Sequence, residues 1–120
     1  MAVSALLASL FLAQSAPATT VDVAYDDLMA GNAAAAIDKI EHSDARAQKH
    51  VAALINLGVA YARVGRTADA RVMFEAAANS DERYRLETAT GEWIDSRDLA
   101  HRALSMLDKG NFSTGQLAAR

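Results

Sequence analysis

The chain has 120 residues, with 12 Lys and Arg against 15 Asp and Glu for a net charge of −3. That is room for one domain, without the excess of basic side chains from which nucleic-acid affinity comes. There is no cysteine, which excludes disulfides, thiolate metal sites and cysteine nucleophiles. Twenty-eight alanines, one proline and six glycines bias the composition toward helix, and 52% hydrophobic residues suffice for a core.

The first charged side chain is Asp22. Residues 2–13 form an apolar run broken only by Ser4 and Ser9. The run is too short to cross a bilayer as a helix and fits the apolar core of a secretory signal peptide. Ala16-Pro17-Ala18 supplies the small-x-small pattern for cleavage after Ala18, and a cut after Ser15 is a second choice. No Lys or Arg precedes the run, and a helix packed on the domain is the alternative reading. Residues 1–18 are read as a signal peptide, which places the mature chain in a bacterial periplasm or outside the cell.

The spacing of Val21, Ala24, Tyr25 and Leu28 predicts a short helix over 21–30, ended by Gly31-Asn32. Asn32 caps a second helix over 33–41, with Ile37 and Ile40 facing inward. Ser43-Asp44 is another capping signal, and a longer helix over 45–64 follows. Its apolar positions are Val51, Leu54, Ile55, Gly58 and Ala62, and Gly65 stops it. Thr67 caps a helix over 68–78 that turns Ala70, Met73, Phe74 and Ala77 to one side and sets Arg71 to pair with Glu75.

The period then changes to two. Tyr84, Leu86 and Thr88 alternate with Arg83, Arg85 and Glu87. A turn at 89–91 and a return over 92–94 make a small β-hairpin, with Trp93 as its anchor on a helix. Asp95 or Ser96 caps a last helix over 97–107, which buries Leu99, Ala103, Leu104 and Leu107. The domain is expected to span 19–108, and residues 109–120 are read as a flexible tail.

Residues 51–84 resemble a tetratricopeptide repeat. Leu57-Gly58 followed by Tyr61 matches its L-G-x-x-Y element, Gly65 stands in the turn, and Ala70 followed by Phe74 matches A-x-x-x-F. Leu54 replaces the family's tryptophan. Glu82 replaces its proline, which leaves the second helix without its usual stop. A shift of 34 residues backward sets Gly31 on Gly65, Ala36 on Ala70 and Ile40 on Phe74, a degenerate earlier copy, although Asp27 falls on Tyr61. A forward shift finds none. The resemblance implies a mainly α fold of antiparallel helix pairs, a fragment of an α-solenoid, with the hairpin and the last helix as its cap.

It also implies a non-catalytic module that binds other proteins on a concave face lined by the first helix of each repeat. In this sequence that face carries Ala52, Ile55, Asn56, Val59, Ala62 and Arg63. Of these, Asn56 would hold peptide backbone with both donors and its acceptor, Val59 would give an apolar contact, and Arg63 would hold a carboxylate. Two units are fewer than a solenoid usually needs, so the open end of the stack could close on a second copy as a homodimer.

Catalytic and cofactor signals are weak. His42, His50 and His101 do not converge at metal-ligand spacing, and Glu92 and Asp95 are read as a strand residue and a helix cap. There is no phosphate-binding glycine loop and no nucleophile elbow. The expectation is no enzyme, no cofactor and no metal, a protein or peptide partner, no nucleic acid, and no membrane span after processing.

Overall fold

The structure, a computed structural model, describes residues 23–110, 112 and 117–120. The signal-peptide reading, the start of the first expected helix, and residues 111 and 113–116 of the expected tail lie outside the described residues. Among the described residues there are six helices and one two-stranded sheet: α1 (Tyr25–Met29), α2 (Ala33–Glu41), α3 (Asp44–Ala47), α4 (Val51–Arg63), α5 (Thr67–Ala78), β1 (Arg85–Glu87), β2 (Trp93–Asp95) and α6 (Ser96–Asp108). None of these helices is long and apolar enough to cross a membrane.

Local chemistry sets most boundaries. Asn32 caps α2 by accepting the Ala35 N–H at 3.2 Å. Asp95, not Ser96, caps α6 by accepting from the Arg97 N–H at 2.9 Å, while Arg83 holds the same carboxylate at 3.1 Å. The Arg83 bond and the Arg97 N–H hold Asp95 below the usual carboxylate pKa. Ser96 is buried instead, its Oγ accepting from the Tyr84 N–H.

Three local expectations are corrected. The single helix over 45–64 is two. Ser43 caps the four-residue α3, Lys49 then turns into the left-handed region at φ 56°, and α4 starts at Val51. The turn is closed by the His50 N–H on Ala45 O at 2.9 Å. Second, Thr67 is not a cap but the first residue of α5, whose N-cap Arg66 makes no side-chain capping bond. Third, Arg71 reaches Asp108 on α6 at 2.5 Å rather than Glu75, because α5 and α6 lie side by side.

α4 stands at the centre and packs on α1, α2, α3, α5 and α6, which explains why every residue from Val51 to Tyr61 is buried. Its closest approach is to α5. A Cβ added at Gly58 would lie 2.5 Å from Cε1 of Phe74, so only glycine fits beneath that ring.

The two helix turns before α2 and α5 repeat each other 34 residues apart. Gly31 and Gly65 have φ 77° and 83°. Their N–H groups donate to Leu28 O and Ala62 O, and the next N–H groups, of Asn32 and Arg66, donate to Asp27 O and Tyr61 O, each at 2.8 Å. Beyond the turns, Ala36 and Ile40 on α2 match Ala70 and Phe74 on α5, all fully buried.

The sheet is an antiparallel hairpin with Leu86 opposite Ile94 and Glu87 opposite Trp93. Leu86 and Ile94 are its buried pair. Trp93, the expected anchor, is 55% exposed. The alternation along β2 leaves room for only one inward residue, and Ile94 takes it.

Candidate functional site

The three residues singled out on α4 are used by this chain itself. Asn56 is fully buried. Its Nδ2 donates to Val23 O at 2.9 Å and to Ala119 O at 2.7 Å, and its Oδ1 accepts from the Ala119 N–H at 2.8 Å. One amide thus grips the backbone on both sides of Ala119 and holds the residue that leads into α1. Val59 is also fully buried, in the core. Arg63 is half-buried and donates from Nη1 to Leu28 O at 2.7 Å, near the end of α1. Its Nε and Nη2 are enclosed without a hydrogen-bond partner among the described residues, and burial lowers its pKa. Ala52 and Ile55 are buried, and Ala62 is partly buried against the core.

What covers this face comes from the segment expected to be a flexible tail. Residues 117–119 are buried; Leu117 has 3-10 geometry, and 118–120 run antiparallel to 87–89, from the end of β1 onward, on the edge that β2 leaves free, with Ala119 opposite Thr88. Glu87 and Arg120 exchange backbone bonds at 3.0 and 3.1 Å, and the Ala89 N–H donates to Ala118 O at 3.1 Å. Arg120 lays its guanidinium over the Tyr25 ring, 4.6 Å from the centroid, with Nε 3.4 Å from the Glu87 carboxylate. Ala118 and Ala119 are fully buried between β1 and α4. The correction has a physical reason: a strand edge left open exposes unpaired N–H and C=O groups, and a short apolar segment from the same chain satisfies them. The apolar triplet Leu117-Ala118-Ala119 at the end of a polar stretch was the available signal.

The remaining polar candidates have structural roles. Glu92 pairs with Arg102 at 3.3 Å. His42 ends α2 with Nδ1 2.8 Å from Asp38 O, and that bond together with the Asp38 carboxylate raises its pKa. His50 stacks on Tyr84 with ring centroids 5.8 Å apart. Among the described residues, no three His, Asp or Glu side chains are grouped to hold a metal ion. Tyr61 donates to the Glu41 carboxylate; burial first, and then that bond, push its pKa up to about 12. A cleft of about 590 Å³ lies between the α3–α4 connection and the end of α5, and its lining includes Arg46, Lys49, Asp81 and Glu82.

Together, fold and site define a mainly helical domain whose central helix holds extended backbone through a buried amide. No family model matches the chain, and no curated protein or solved structure matches it significantly.

Proposed function

We infer that the chain is a non-catalytic protein-interaction module of the tetratricopeptide type, exported from the cell that makes it. One observation carries the reading: the glycine turn recurs 34 residues apart with the same conformation and the same turn bonds, and Ala36 and Ile40 after the first are fully buried as Ala70 and Phe74 are after the second. The close seat of Phe74 on Gly58 supports it, since small residues at that crossing are what the repeat pattern demands. The face that such a module turns to its ligand is here the face of Asn56, Val59 and Arg63. The chemistry it offers is the clasping of extended backbone. Export rests on the apolar run over 2–13 and Ala16-Pro17-Ala18.

The test is affinity capture from source-cell extract with the full chain as bait, followed by titration of each captured protein in purified form. A saturable one-to-one complex supports the module. Recovery of the chain alone, with a dimer mass in sedimentation, replaces it with a self-associating structural protein. A mass corresponding to loss of residues 1–18 from the protein recovered outside the cytoplasm supports export.

A further inference from the structure

We propose that the slot between the free edge of β1 and Asn56 is a peptide-binding site, and that residues 117–120 are its built-in, displaceable occupant. The ligand class is a segment reading apolar, small, small, cation, extended over the three residues that follow the apolar one. The inference deepens the module reading and rests on it.

The contacts define the ligand. Five of the hydrogen bonds that hold residues 118–120 engage their main chain: two with Glu87, one with Ala89 and two with the Asn56 amide. Main-chain bonds of this kind add a strand from any chain, which is how sheet edges capture peptides. Selectivity lies in four positions. Leu117 is buried, Ala118 and Ala119 are fully enclosed so that nothing larger fits without rearrangement, and Arg120 sits over Tyr25 beside Glu87. The slot lies on the face of α4 that carries Asn56, so its occupation closes that face. A segment tethered to its own slot competes at roughly millimolar effective concentration, so a partner's segment displaces it only by binding better or arriving as part of a larger contact.

The experiment uses a fluorescent peptide of residues 115–120, a control peptide with Asp at both alanine positions, the native full chain, and full-length Ala119→Asp, whose own segment can no longer be enclosed. The variant is expected to bind the peptide at least about tenfold more tightly than the native chain, because the roughly millimolar internal competitor is gone. The control peptide should bind neither. In parallel, NMR of the isotopically labelled native chain in excess unlabelled peptide should move the Ala118 and Ala119 amides to exposed positions while the Asn56 side-chain amide stays hydrogen-bonded. This second arm decides the matter if Ala119→Asp does not fold. A folded variant without affinity for the peptide, equal binding of the control, or native alanine amides unmoved by excess peptide would each overturn the proposal. Peptide exchange without any captured partner keeps the slot and removes the module reading. A partner captured equally by native chain and Ala119→Asp keeps the module and removes the slot as its site.

Discussion

The ring of Phe74 lies directly against the backbone of Gly58, with no space for a methyl group between α5 and α4. Phe74 is fully buried and stacks on Phe112 at 5.6 Å, so the ring cannot simply swing away. Gly58→Ala should therefore lose stability despite alanine's better helix propensity, worth about 1 kcal/mol. Overpacking costs about 1–3 kcal/mol, and an overlap this close with an immobile ring falls in the upper part, about 2–3 kcal/mol, so the net loss is about 1–2 kcal/mol. Urea denaturation would read it as a lower midpoint at constant slope. Pairing the change with Phe74→Leu should cost less than the two separate losses added together. An unchanged midpoint for Gly58→Ala would contradict the packing described.

Asn56→Ala removes three hydrogen bonds and leaves the Val23 C=O and both main-chain groups of Ala119 enclosed without partners. Each such group costs on the order of 1–3 kcal/mol, and we expect a total loss of about 3 kcal/mol or more. Amide exchange at Ala119 should accelerate further than at Ala103, which lies in α6 away from the clasp. Uniform acceleration across both would mean that Asn56 does not act through this segment.

On the hairpin, Trp93→Ala should change stability by no more than about 0.5 kcal/mol, because the indole is 55% exposed. Ile94→Ala should cost about 2–3 kcal/mol, because Ile94 is the buried partner of Leu86. Thermal midpoints of the two variants would separate by roughly 6 °C or more at about 4–8 °C per kcal/mol. The reverse order would place Trp93 inside.

Tyr61 makes stability depend on alkaline pH. Its ordinary pKa of 10.0 is raised to about 12 in the folded chain, so the native state holds the proton more tightly than the unfolded chain. The contribution is fully present below pH 10.0 and is lost as pH rises from there toward about 12. Tyr61→Phe should flatten this part of the stability profile. A variant as alkali-sensitive as the native chain would remove the buried Tyr61 hydroxyl as the cause.

Much of the helical framework was legible because single residues announce helix ends. Asn32, Gly31 and Gly65 act at the ends assigned to them. The hairpin was legible from alternation, but alternation cannot say which of two neighbours faces inward. Large apolar surface made Trp93 the natural choice, and the packing under β2 took Ile94. The break at Lys49 was hidden because a left-handed turn usually advertises itself with glycine or asparagine, and here a lysine adopts it. At the site, the backbone-holding capacity of Asn56 was legible from its chemistry. Its occupant was not, since nothing local to α4 names a segment 63 positions further along the chain.

The double grip of the Asn56 amide changes how the helical domain assembles. Helical repeats that touch only their neighbours fold and unfold piecemeal, each unit melting almost on its own. Here one side chain on the central helix is satisfied only when Val23 and Ala119, near opposite ends of the described chain, have both arrived. The two ends of the described domain thus depend on one another through distant contacts, which slow the search and couple their melting. During synthesis the central helix must wait, its amide unsated, until Ala119 has left the ribosome.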